Sequence, residues 1–138
     1  MDIEEISEFV AEHTCTKIDR ISADTDIYKD LGIIGDDFSE LLEDFASKYN
    51  VKMNKYLWYF HNCDEGWAPW SFIFNPPNAK VHRMPVTPSL LLELAEAGEW
   101  RVEYPEHDEP KDRRDITYGL LFYGFLFVVM FCIVVRYT

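Results

Sequence analysis

Asp36, Asp37, Glu40, Glu43 and Asp44 place five carboxylates within a short stretch of the chain. Such a cluster attracts cations and cationic side chains, and two carboxylates set around a substrate can serve as acid and base. The groups that catalysis would add are missing from the sequence. It contains no phosphate-cradling glycine loop, no nucleophile elbow and no HExxH pair. His13, His61, His82 and His107 are scattered, and His61 with Cys63, the one close pair of potential metal ligands, matches no zinc spacing. No catalytic residue and no metal is therefore expected, and the carboxylates read as an electrostatic surface.

The charge balance says what that surface could meet. Lys and Arg total 13 against 25 Asp and Glu, a net charge of -12. Phosphate neutralisation needs a basic surface, so a nucleic acid is not expected and a basic protein is. Cys15, Cys63 and Cys132 are widely spaced and odd in number, unlike a disulfide framework. The acidic start Met-Asp-Ile-Glu-Glu-Ile lacks the basic and apolar regions of an export signal, which points to a cytoplasmic folded part.

A helix must present the carboxylates. Phe38, Leu41, Leu42, Phe45 and Tyr49 recur at i, i+3, i+4, i+7 and i+11, an apolar stripe with the acidic residues opposite it. Asp37 and Glu40 are spaced as a capping box that would open this helix. Ile3, Ile6, Phe9 and Val10 predict a shorter helix before it, ending near Thr14-Cys15-Thr16. Ile18, Ile21 and Ile27 in the polar connection are expected to plug the core. Thr87-Pro88 starts a third helix, Gly98 stops it, and Trp100 can fold back on its end. Between them, the irregular stretch Val51 to Phe74 carries Tyr56, Trp58, Tyr59, Phe60, Trp67, Trp70, Phe72 and Phe74, rings expected to fill the core of the domain rather than line a ligand groove.

Residues 116–135 carry neither charge nor proline, and about 20 apolar residues suffice to cross a hydrocarbon layer ~30 Å thick. The predicted organisation is a domain over 1–104, a charged spacer over 105–115, a single-pass transmembrane helix over 116–135 and a tail over 136–138. Lys111, Arg113 and Arg114 precede the span and only Arg136 follows it, which places the N-terminal domain in the cytoplasm in a tail-anchored topology. Without Arg136 the remainder carries -13 and is repelled by anionic lipid.

The stretch Ile21 to Met53 resembles acyl carrier proteins, through the loop ending Asp30-Leu31-Gly32, the Asp36-Asp37-Phe38 helix start and the acidic helix ending at Lys48 to Met53. More closely, residues 1–104 are similar to a bacterial family of unknown function grouped with the carriers. The shared elements are a Leu-Gly-Ile-x-Gly-Asp-Asp run, the aromatic segment around Trp58-Tyr59-Phe60 and the ending Leu94 to Trp100.

The resemblance implies a mainly all-α, acyl-carrier-like helical bundle with an aromatic-rich insertion in a bacterial protein, and the separate span over 116–135 places it at the inner membrane. Carriers attach phosphopantetheine to a serine at the position held here by Asp37, which cannot form that phosphodiester. What survives is the acidic helix, which in carriers docks basic enzymes. The implied docking residues are Asp36, Asp37, Phe38, Glu40, Glu43 and Asp44, and the implied partner is basic, such as a membrane-associated acyl-transfer enzyme. Two alternatives stay open. A working acyl or peptidyl carrier would use Ser39, turned by about 200° from Asp37 at 3.6 residues per turn. A small acidic inhibitor or immunity-type protein would instead block one basic partner.

Overall fold

A computed structural model of the chain describes residues 1–63, 75–110 and 114–137. Four α-helices, α1 (Ile3–Thr14), α2 (Gly35–Tyr49), α3 (Pro88–Ala97) and α4 (Arg114–Tyr137), account for most of its regular structure. Short 3₁₀ turns occupy Ile18–Arg20, Trp58–Phe60 and Pro77–Lys80. Among the described residues the only strand-like pairing is an isolated parallel bridge between Lys52 and Glu99, so the fold is mainly helical.

Local chemistry explains the helix ends. Asp2 caps α1 by accepting from the Glu5 amide at 3.0 Å, and Glu4 and Glu5 place further negative charge at the positive helix end. Cys15 closes α1 with a left-handed φ of 50°, and Asn50 closes α2 with a φ of 54°. Thr87 accepts from the Leu90 amide, Pro88 takes the first helical position of α3, and Gly98 ends it at φ 69°.

Three apolar stripes meet in one core. Ile6, Phe9 and Val10 of α1 pack with Phe38, Leu41, Leu42 and Phe45 of α2 and with Leu91, Leu94 and Ala95 of α3. Ile21, Ile27, Val51, Val86 and Trp100 complete it from the connections. Each full burial of a Leu or Phe contributes about 1.5–3 kcal/mol, so this cluster supplies the main driving force for folding. Ile18, expected to join Ile21 and Ile27 inside, is instead 46% exposed.

Between α1 and α2 the chain turns around Asp26. Its carboxylate accepts from both terminal guanidinium nitrogens of Arg83, and its Oδ1 also accepts from the amides of Tyr28 and Lys29. The guanidinium lies 4.6 Å from the Tyr28 ring centroid. Burial disfavours the charge on Asp26, yet Arg83 and these amides hold its carboxyl below the ordinary value.

Aromatic rings form a second layer beside the core. Tyr59 and Phe60 are buried, Trp58 is half-buried, and Trp67, Trp70, Phe72 and Phe74 lie outside the described residues. The Tyr104 phenol oxygen accepts from the Leu57 amide at 3.2 Å and from Trp100 Nε1 at 2.7 Å, and donates to His61 Nε2 at 3.0 Å. His61 Nδ1 donates to the Met84 carbonyl at 3.0 Å, so both nitrogens of this fully buried ring are engaged. His107 Nε2 meets the Tyr59 hydroxyl at 2.9 Å. The expected spacer from residue 105 therefore begins docked on the domain, because His107 finds a hydrogen bond and two aromatic faces there.

The α4 helix differs from the other three. Ile116–Arg136 has a mean hydropathy of 2.5 with 6% of its strongest window buried, so it is long and apolar enough to span a membrane and is no core helix of this domain.

Candidate functional site

At about 100° per residue the five carboxylates of α2 fall within an arc of roughly 120°, opposite the residues that enter the core. Asp36, Asp37, Glu40, Glu43 and Asp44 are all exposed. Among the described residues, Asp36, Asp37, Glu40 and Glu43 have no ion-pair partner, whereas Asp44 Oδ2 lies 3.1 Å from His13 Nε2. The other ring nitrogen of His13 faces the Phe9 carbonyl at 2.9 Å, so this histidine clasps the end of α1 to the middle of α2. A groove of about 260 Å³ runs between the helices, with Ile33 and Leu41 along it and Asp37, Glu40 and Asp44 on one wall.

The structure corrects one docking residue implied by the carrier resemblance and one cap assigned from spacing. Phe38 is fully buried in the core and cannot contact a docking protein. Asp37 is not the cap of α2. The helix starts at Gly35 after Ile34, and no side chain caps it. Gly35 turns the backbone with a φ of 58°, a left-handed conformation that glycine adopts at little cost. Asn62, from within the aromatic segment, holds that turn. Its Oδ1 accepts from the Gly35 amide at 2.8 Å and its Nδ2 donates to the Gly35 carbonyl at 2.7 Å. Helix entry thus comes two residues earlier than Asp37, which sits in the first turn with Asp36. There both carboxylates still face the positive helix end, an arrangement worth about 0.3–1 kcal/mol each.

Ser39 belongs to the same construction. Its hydroxyl donates to the Gly35 carbonyl at 3.1 Å and accepts from Asn62 Nδ2 at 3.3 Å. It is half-buried and engaged at the helix start, unlike a free hydroxyl presented for modification. Sequence reading missed Asn62, His13 and Tyr104, the residues that position this face and its support. Each acts across 27 to 47 residues of chain, and no local spacing marks such a pair.

What the face can do is electrostatic. Exposed carboxylates on a rigid helix steer a cationic surface and set its orientation more than they add affinity. The described residues contain no group of three or more His, Cys, Asp or Glu arranged to hold a metal ion. All three cysteines are free thiols.

Neither the curated proteins nor the solved structures contain a match to this chain. The sequence profile of one family, described as a protein of unknown function (DUF1493), matches residues 2–103. That match covers most of the chain and ends just before the charged segment preceding α4, so the chain belongs to the DUF1493 family of unknown function.

Proposed function

We propose that this chain is a non-enzymatic interaction module, related to acyl carriers that have lost the prosthetic arm. In this reading α4 anchors it to a bacterial inner membrane, the domain faces the cytoplasm, and the acidic face of α2 docks a basic protein. The observation that carries the reading is the exposed arc of Asp36, Asp37, Glu40, Glu43 and Asp44, four of them without an ionic partner among the described residues.

Pull-down from a membrane extract with the full-length protein is expected to give partners that dissociate with rising salt. Combined reversal by Glu40→Lys, Glu43→Lys and Asp44→Lys is expected to abolish their capture, with helicity unchanged by circular dichroism. An unchanged set of partners after reversal would rule out docking through this face. A tight stoichiometric complex with one basic protein would identify a blocking inhibitor instead of an adaptor.

The carrier alternative makes a separate prediction. The hydrogen bonds of Ser39 to Gly35 and Asn62 argue against an attachment role, so intact-mass analysis of protein from its own cells is expected to find Ser39 unmodified. A phosphopantetheine adduct there would make this a working carrier.

A further inference from the structure

The segment leading to α4 carries information about where docking can occur. Tyr104 is held by the Leu57 amide, the Trp100 indole and His61, and three residues later His107 is held by the Tyr59 hydroxyl. The ring of His107 also packs edge-on against Phe60, with centroids 4.9 Å apart. Residues Arg101 to His107 therefore form a strap fixed to the domain, although they have no regular secondary structure.

The strap leaves a short tether. Between His107 and the first helical residue, Arg114, lie only Asp108 to Arg113. Whatever their conformation, seven Cα steps span at most about 25 Å. A domain of about 100 residues has a radius of gyration of about 13 Å, so every point on it is held within roughly 60 Å of the start of α4. The net charge of -13 outside residues 116–138 repels anionic headgroups, which keeps the acidic face from being buried against lipid.

We propose that the docked strap Arg101–His107 confines the acidic face of α2 to a layer beside the bilayer, so that its partner is a protein presenting a basic surface at the membrane. The inference rests on the docking and anchoring reading above. Confinement raises the effective concentration for a membrane-bound partner and gives a freely soluble one no such gain.

The test uses full-length protein in phosphatidylcholine vesicles and a Lys- and Arg-rich helical peptide in two forms, one soluble and one displayed at headgroup level on a lipid anchor. The displayed form is expected to bind at least tenfold more tightly, and binding of both forms is expected to weaken with salt. A second protein carries about 30 flexible Gly and Ser residues inserted after Glu109. Lengthening the tether about sixfold lowers effective concentration by roughly the 3/2 power, so the displayed peptide is expected to lose up to about 15-fold in affinity. The soluble peptide should bind both proteins equally. Failure of the protein to remain with floated vesicles overturns the anchoring reading, and failure of both peptides to bind overturns the docking reading. Salt-sensitive binding that is equal for the two forms, or unchanged by the longer tether, overturns confinement alone.

Discussion

Trp100→Ala is expected to destabilise the domain by about 4 kcal/mol, within the range of roughly 3–5 kcal/mol for truncating a large buried ring. Trp100 is fully buried and is the largest such side chain among the described residues. Its ring meets Tyr56 edge-on at 4.8 Å and His61 at 5.2 Å, so truncation opens a space that aromatic neighbours cannot fill without moving. The change also removes the Nε1 donor, at 2.7 Å, from the Tyr104 oxygen. Total stabilities of about 5–15 kcal/mol leave little after such a loss. Urea unfolding of full-length protein in detergent, followed by far-ultraviolet circular dichroism, measures the effect. Trp100→Phe, which keeps a ring but not the donor, should cost distinctly less. A loss below about 1 kcal/mol for the alanine variant would show that Trp100 is not the keystone between the core and the aromatic layer.

The keystone was only half legible in the chain. Its position two residues past Gly98 suggested that Trp100 folds back on α3, because a helix stop followed by a large apolar ring is a local pattern. That it would bridge Lys52 and support Tyr104 was not legible, since those contacts depend on where other segments pass. The same division runs through the molecule. The stripes of α1, α2 and α3 repeat at helical period, and Thr87-Pro88 and Gly98 mark the two ends of α3 by local chemistry.

The start of α2 escaped because two signals conflicted. Asp37 and Glu40 have capping-box spacing, but Gly35 with its buried partner Asn62 provides a turn two residues earlier. Long-range hydrogen bonding overrode a local preference worth about 1 kcal/mol. The exposed carboxylates follow from the apolar stripe alone, since fixing one face of a helix fixes the other. Phe38 belongs to that stripe, which is why it lies in the core and not on the acidic face.

Stability is expected to fall by about 2 kcal/mol between pH 7 and pH 5, and His61 is the cause. Tyr104 oxygen already accepts from Leu57 and Trp100, so its own proton is directed to His61 Nε2, and the imidazole proton sits on Nδ1 facing the Met84 carbonyl. A second proton on the ring would replace an accepted hydrogen bond by a donor facing an oxygen already in use. Burial lowers the His61 pKa from 6.5 to about 4. The Met84 hydrogen bond opposes that shift, and the nearby Arg83 charge adds to it. Above pH 6.5 the ring is neutral in both states. Between 6.5 and about 4 the unfolded chain takes up a proton that the folded domain refuses, so the free energy of unfolding decreases as pH falls. At about 1.4 kcal/mol per pH unit the full window is worth ~3 kcal/mol, of which about 2 has been lost by pH 5. The Asp26 carboxyl, held below its ordinary 3.8, loses its contribution only as pH falls below that value and leaves this window to His61. Urea unfolding in detergent at pH 7, 6 and 5 reads the slope while staying above the sequence pI of 4.6. His61→Gln should be less stable at pH 7 because it gives up ring packing against Tyr56 and Trp100, yet nearly flat from pH 7 to 5 because no proton is linked there. If the glutamine variant kept the wild-type slope, acid sensitivity would originate in the carboxylates and not in the ring that pins the strap to the domain.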